Sequence, residues 1–319
     1  MKITDYVSKI KLGEVQVCEN VAIFPLFLEI ENVPNFITLE SALKSKNFFV
    51  KEVSNSGTVP HLKVINKLDT PVFIMDGEEL RGGKQNRVLN TSILVKKNSE
   101  VIIPVSCTER GRWSFSSDVF EDPEYIIPVD IRRGKNESVF NSLIHYGDFE
   151  SDQLFIWNEI DKYHQNYKVD SKTDALRDVL KREEKLLKEG LKNFPYIKGQ
   201  NGIMVFTNGE IDGLDIVSLS SAYELLHEKI VKSYLFKNHP LKNKFKENYM
   251  EKALSFFNEI KEAEVLKFKS VSLGWDIRFS GEKFLGSMLV YRNKPIHMNF
   301  FKRYNQNKKP FSGEVVILD

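Results

Sequence analysis

The sequence is poor in the residues that most often announce a function. It has two cysteines, Cys18 and Cys107, in 319 residues. That is too few for the disulfide framework of a small secreted domain, and it predicts a reducing compartment. The opening "MKITDYVSKIKLGEVQV" has no apolar core and no small-residue cleavage site, so no signal peptide is expected and the expected location is cytoplasmic. No window approaches about eighteen uncharged apolar residues, so no membrane-spanning helix and no membrane partner are expected. The formal net charge is only +2, so no bulk field draws the chain to nucleic acid. The best basic cluster, "KRYNQNKK" from Lys302, interleaves a single aromatic and reads as a solvated loop. Six histidines (His61, His145, His164, His227, His239, His297) are scattered with no His-x-His pair, which speaks against a cupin-type metal site.

What is present is enough to fold. At 41% hydrophobic and 12% aromatic the chain can bury a core, and its length suits one large or two modest domains. Short β-rich runs fill the first third: "VAIFPLFLEI", "NFFVKEV", "HLKVIN", "PVFIM", "RVLNTSILV" and "EVIIPVSC", broken by polar turns. "TLESALKSK" interrupts them as a short helix with Thr38 as N-cap. Three helices are expected beyond the midpoint. "SKTDALRDVLKREEKLLKEGL" sets Leu176, Val179, Leu180, Leu187 and Leu191 on one face, with a Ser171–Asp174 capping box. "SSAYELLHEKIVKSYLF" does so with Leu225, Leu226, Ile230 and Tyr234, and "FKENYMEKALSFFNEIKEAEVLKF" with Phe245, Tyr249, Ala253, Phe256 and Ile260. "GIMVFTNGEIDGLDIV" reads as a hairpin about Asn208-Gly209. "SVSLGWDIRFSG" and "FLGSMLVYRNKPIHMNFF" read as two late strands, the second bending at Asn293–Pro295. The fold class is α+β: an N-terminal antiparallel β-sandwich or open barrel, then a helix-rich α+β part with C-terminal strands. The expected division is a β-rich domain over residues 1–130 and a helical α+β part over residues 131–319 packed on it. The alternative is one continuous domain.

The chemistry gathers in "DGEELRGGKQNRVLN", Asp76 to Asn90. As a phosphate loop it fails, because an extra glycine precedes Lys84, Gln85 follows it, and a strand rather than a helix comes next. "CTERGR" fails as a phosphatase loop, since only four residues separate Cys107 from Arg112. Arg110 and Arg112 would depress the Cys107 pKa if they faced it, and the plainer reading is a small buried hydrophobe. "NGEIDGLD" fails as a calcium loop, because Leu219 stands where the bidentate glutamate belongs. Asp76, Glu78 and Glu79 are of the type to hold a divalent cation such as Mg²⁺, against the plainer reading of an exposed acidic turn. No metal-ligand residues are assigned.

Asp76–Arg87 and Cys107–Trp113 follow successive strand-like runs, so an antiparallel sheet can bring them to one end. Glu79 and Glu109 are then the candidate acid and base. Gly82 and Gly83 would let backbone approach a ligand. Lys84, Arg87 and Arg112 would hold an anion, Gln85 a hydroxyl, and Trp113 a planar face, with Cys107 beside them. Arg278 in "GWDIRFSG" either lines a pocket or faces water, and His297 is either a general base or a satisfied core histidine. The alternative for the whole set is a salt-bridged network pinning two turns together.

"DGEELRGGKQNR" followed by "IPVSCTERGRW" resembles the ARG and Rhodanese-Phosphatase-superfamily-associated protein domain family. The resemblance continues through "SKTDAL", "GIMVFTNGEIDGLDIV", "LGWDIRFSG" and "GSMLVYRNKPIHMNFF". The matching positions are Gly82, Gly83, Gln85, Arg87, Cys107, Glu109, Gly111, Arg112 and Trp113. The family is named for a gene neighbourhood that includes ADP-ribosylglycohydrolases. The resemblance therefore implies the handling of ADP-ribose or another NAD-derived compound, a small anionic ligand, by a hydrolase or transferase. A binding or sensing module and a structural interaction protein are the alternatives.

Overall fold

The computed structural model describes residues 3–54, 56–121, 125–237 and 248–303. Phe245 and nearly all of the "KRYNQNKK" cluster lie outside them. Among the described residues no helix is long and apolar enough to cross a membrane.

A nine-stranded antiparallel sheet forms the centre. Its order runs Lys11–Leu12, Val21–Phe27, Gly202–Thr207, Glu210–Val217, Lys294–Lys302, Phe284–Tyr291, Trp275–Ser280, Glu264–Lys269, with Gln16–Cys18 also paired to Val21–Phe27. Alternation along each strand sorts the side chains to two faces. Phe24, Leu26, Met204, Ile216, Phe279, Met288 and Phe300 point to one, where helix Tyr249–Lys261 covers them with Ala253, Phe256, Phe257 and Ile260. Ile23, Ile203, Val205, Val217, Leu289 and Phe301 point to the other, beneath Tyr223, Leu226, Ile230 and Tyr234 of helix Ser220–Leu235.

Against that second face lies the N-terminal β-structure. One antiparallel sheet runs Phe48–Glu52, His61–Asn66, Ser99–Cys107, Arg87–Leu89, Glu79–Leu80. A smaller one joins Ile93–Val95, Val72–Ile74 and Ile37–Thr38, the last pair parallel. Val50, Leu62, Val64, Ile74, Leu89, Ile93, Ile103 and Val105 fill the space between them. The α+β class is the one expected.

Local chemistry explains several agreements and several departures. Thr38 caps its helix by accepting from the Ser41 N–H. Asn208 and Gly209 both take the left-handed region, φ 52° and 79°, as a type I′ hairpin requires. The stretch 171–191 is two helices, Leu176–Arg182 and Glu184–Leu191, meeting at Glu183. Ser171 is not its cap, because its hydroxyl accepts from the N–H of Ala175, which holds the cap position, and donates to Asp178 in the first turn. "EVLKFK" leaves the helical period and becomes strand Glu264–Lys269. The last apolar stretch is not one bent strand. Arg292 and Asn293, at φ 50° and 58°, fold it into the hairpin Phe284–Tyr291/Lys294–Lys302. Two helices are not expected from the sequence, although the second has Asp152 as its N-cap and buries Ile156, Ile160 and Tyr163 at helical spacing. Val129–Tyr146 buries Asp130, Arg132, Lys135 and Asn136, so it shows no apolar stripe, and Gln153–Tyr167 follows it.

Strand Val21–Phe27 has Gly202–Thr207 as its full-length partner. We propose that the two parts of the chain fold as one cooperative unit. A fragment of residues 1–130 loses six of the nine strands of the large sheet, which leaves Val21–Phe27 without that partner and uncovers Phe36, Phe73, Met75 and Leu94, and it is expected to show no cooperative thermal transition by circular dichroism. A sharp, reversible melt of the fragment would refute the single unit.

Candidate functional site

The two motif segments do meet. Cys107 pairs with Arg87 and Ser106 with Val88 across neighbouring strands, while Leu80 pairs with Arg87 and Glu79 with Val88. The pleat therefore sends Arg87 and Cys107 to one side of the sheet and Glu79 to the other. Arg87 is fully buried. Its Nη1 donates to Gln85 Oε1 at 2.8 Å and to Cys107 Sγ at 2.6 Å. Its Nη2 lies 4.0 Å from Glu52 Oε1. Among the described residues, Arg87 Nε, Arg87 Nη2 and Glu52 Oε2 have no hydrogen-bond partner. Burial pushes the Cys107 thiol up to about 11, against the pull of Arg87, so it stays protonated and donates to Gln85 Oε1 at 3.1 Å. Arg110 and Arg112 do not activate it, for both are engaged elsewhere: Arg110 holds Asp161 and Asp174.

Over this floor lies a surface of two half-exposed rings and a lysine, the mouth of the candidate site. Trp113 and Phe115 are each 48% exposed. Lys84 Nζ lies 5.3 Å from the Trp113 ring centroid and 5.2 Å from that of Phe115, and it donates to Ser56 O. Arg87 Cζ is 5.7 Å from the Trp113 centroid, so one indole bridges the half-buried cation and the buried one. Gly57 borders the same space, since a Cβ there would sit 3.1 Å from Lys84 Cδ and 3.5 Å from Trp113 Cζ2.

The other expected residues brace this mouth from behind. Arg112 commits its fork to the chain itself: Nε and Nη2 to Glu109 at 2.9 and 2.6 Å, and Nη1 to the Gly83 and Ser114 carbonyls at 2.7 and 2.9 Å. Glu109 also accepts from the Asn86 N–H at 3.0 Å. Burial opposes its charge, but the Arg112 and Asn86 hydrogen bonds outweigh burial and hold its carboxyl below the usual range. Gly82 and Gly83 have positive φ, and the space a Cβ would need is taken by Ser117 Oγ at 2.5 Å and the Phe120 ring at 2.4 Å. These glycines admit the protein's own chain rather than a ligand.

Glu79 sits apart on the opposite face. Thr108 Oγ1 donates to it at 2.8 Å, and Arg177 Nη1 lies 3.7 Å away. Burial pushes its carboxyl up to about 7, with Arg177 and Thr108 opposing. The three neighbouring acids diverge. Glu78 accepts from the Met75 N–H, and Asp76 turns to Lys135 and Arg132. Among the described residues no three His, Cys, Asp or Glu side chains cluster in a way that could hold a metal ion.

Arg278 belongs to neither group. It lies in a buried polar centre between the large sheet and the N-terminal β-structure. Alternation in "GLDIV", "WDIRFS" and "IHMNFF" sends Asp215, Asp276, Arg278, His297 and Asn299 to the same sheet face, opposite Ile216, Ile277 and Met298. Arg132 clamps Asp215 through two parallel hydrogen bonds of 2.8 and 3.0 Å. Asp215 also takes the Tyr234 hydroxyl at 2.8 Å and His297 Nε2 at 3.3 Å. His297 Nδ1 meets Ser92 Oγ at 2.9 Å, so it is a satisfied core histidine. Asp76 binds Lys135 and Asn299, and Arg278 binds Asp276 and Thr91. Asp76, Arg132, Lys135, Asp215, Asp276, Arg278, His297 and Asn299 are each at most 2% exposed. Burial resists the Asp215 charge, yet Arg132 brings its carboxyl down to about 2. This centre went unread in the sequence. The signal was the polar residue repeating every second position within three apolar strands.

A family model described as the ARG and Rhodanese-Phosphatase-superfamily-associated Protein domain matches residues 9–301, a span that takes in both the mouth and the buried centre. No curated protein and no solved structure matches the chain.

Proposed function

We propose that this chain, which belongs to the ARG and Rhodanese-Phosphatase-superfamily-associated Protein domain family, binds an anionic nucleotide derivative of the ADP-ribose class at the Trp113–Lys84–Arg87 mouth. One observation carries the reading. A fully buried arginine, ion-paired with Glu52 but with no hydrogen-bond partner for Nε or Nη2 among the described residues, lies 5.7 Å from the ring of an exposed tryptophan that also carries a lysine. A diphosphate suits Lys84 and the planar fork of Arg87. An adenine suits the Trp113 face, which adds stacking worth about 1–3 kcal/mol, while the Gln85 amide is occupied in holding Arg87 and the Arg110 carbonyl. The family name supports a setting near ADP-ribose chemistry without naming a substrate.

Binding or sensing fits this geometry better than catalysis. Glu109 is held ionised by Arg112, and Glu79 lies across the sheet from Arg87. A hydrolase or transferase reading has one observation in its favour: the Glu79 carboxyl, raised to about 7, exchanges protons near neutral pH.

A thermal-shift series with ADP-ribose, NAD, AMP and inorganic phosphate, each with and without Mg²⁺, tests the proposal. A ligand that binds only the folded chain raises the midpoint by mass action. ADP-ribose is expected to do so, and both Arg87→Ala and the milder Lys84→Ala are expected to lose at least tenfold in affinity. Product analysis by chromatography separates binding from turnover. No shift with any compound would assign the charged turns to bracing alone and favour an interaction protein.

A further inference from the structure

A second cleft, of about 340 Å³, opens beside helix Glu184–Leu191 and shares no residue with the Trp113 mouth. Its walls are apolar and aromatic: Val21, Leu186, Leu187, Phe194, Leu235, Phe236 and the ring of Tyr167. Tyr167 and Phe236 stack at 4.7 Å between centroids, and Tyr163 lies 5.0 Å behind Phe236, so the aromatic wall is rigid. Among the described residues, the charged ones that line the cleft are Glu19 and Glu183, and none of the lining is lysine or arginine. Glu19 is exposed and Glu183 is half-buried. The Glu183 carboxylate lies close enough to the Tyr167 hydroxyl to reinforce the effect of burial on it.

Gly190 gives the cleft its depth. It stands inside a helix, where glycine costs about 1 kcal/mol against alanine, and it lines the cavity. A Cβ there would press on Leu235 Cδ1 at 3.2 Å. A longer side chain would fill the space.

We propose that this cleft is a binding site for a small amphipathic cation, an organic amine or quaternary ammonium with an apolar body. Three features select that class. The apolar wall takes the body, and aromatic faces attract a cation through their negative quadrupole. The two carboxylates supply opposite charge, and among the described lining residues no basic side chain competes. The size is that of a small-molecule pocket.

Titration calorimetry on the full chain with three matched probes tests it: 2-phenylethylamine, 2-phenylethanol and 3-phenylpropionate. The amine is expected to bind saturably, the alcohol at least tenfold more weakly, and the carboxylate not at all. Glu183→Gln is expected to weaken the amine about tenfold while leaving the alcohol unchanged. Gly190→Leu is expected to remove binding of both, with an unchanged circular dichroism spectrum. If Gly190→Leu alters that spectrum, the paired Glu19→Gln, Glu183→Gln variant decides alone, and retained selectivity for the amine would refute the site. Equal binding of all three probes, or no binding by the amine, overturns the proposal. So would concentration-dependent dimerisation that Leu186→Asp abolishes without any response to amine, which would assign the cleft to self-association. None of these outcomes depends on ADP-ribose, so this site and the Trp113 mouth fail or stand separately.

Discussion

Arg132→Met is expected to lower the unfolding free energy by about 3–5 kcal/mol, the largest effect of any single change considered for this chain. The substitution keeps most of the side-chain volume and removes only the charge and its donors. It strands Asp215, which is fully buried and accepts two of its hydrogen bonds from that guanidinium. It also removes the 3.8 Å contact with Asp76, leaving Lys135 to neutralise that carboxylate. The cost comes from leaving a buried charge uncompensated rather than from losing an attractive pair. Arg132→Met combined with Asp215→Leu is therefore expected to recover a substantial part of the loss, because the charge is then gone from both sides. Urea denaturation of the wild type, the two single variants and the double variant measures the cycle. Additive losses would mean that the pair is not coupled and that the centre holds the fold in some other way.

The second large effect is a pH dependence set by Glu79. Its carboxyl rises from an ordinary 4.5 to about 7 in the folded chain. Between those values the unfolded chain has released its proton while the folded chain keeps it. Stability therefore falls as pH climbs from about 4.5 to about 7, and then levels off, with a total of about 3 kcal/mol. Glu79→Gln removes the titration but keeps an acceptor for Thr108. The variant is expected to gain on the wild type as pH rises from 5 to about 7 and to hold that gain at pH 8, by up to about 3 kcal/mol. Asp215 acts with the opposite sign, and at lower pH. Its carboxyl, held down to about 2, supplies stability that is lost only as pH falls from about 4 toward 2, outside the Glu79 window. Urea midpoints of wild type and Glu79→Gln at pH 5 and pH 8 test this. A difference that does not change with pH would show that Glu79 titrates normally in the folded chain.

Much of the fold was legible where a residue's local chemistry acts alone. Thr38 caps a helix, Asn208-Gly209 turns a hairpin, and the amphipathic stripe through Leu226, Ile230 and Tyr234 packs as its spacing predicts. Legibility failed where a polar residue is buried. Helix Val129–Tyr146 turns Arg132 and Lys135 inward, so its sequence shows no apolar face, and its inner residues make sense only once Asp76 and Asp215 stand opposite. The turn at Arg292-Asn293 was missed for another reason. Neither residue is glycine, yet both adopt positive φ, and the paired strands on either side hold them there.

The candidate site was half legible. Adjacent strands do bring "GGKQNR" beside "CTERGRW", and Lys84, Gln85, Arg87, Cys107 and Trp113 do gather. Which side of the pleat each residue takes was not readable from motif content. That parity separates Glu79 from Arg87, and it leaves Arg112 and Glu109 as a clamp behind the loop. Arg278 fell to the buried centre for the same reason, because its strand presents odd and even positions to different layers.

The most direct test of the proposed function reads Trp113 itself. The chain has three tryptophans, so a Trp157→Phe, Trp275→Phe background leaves Trp113 as the only indole. Its emission should be followed while ADP-ribose is titrated in. A stacked adenine is expected to quench that emission saturably, and Arg87→Ala in the same background is expected to shift the curve to at least tenfold higher concentration. An emission that stays flat up to millimolar ADP-ribose, in a protein whose circular dichroism and melting curve match the parent, would contradict the assignment of this mouth as the ligand site.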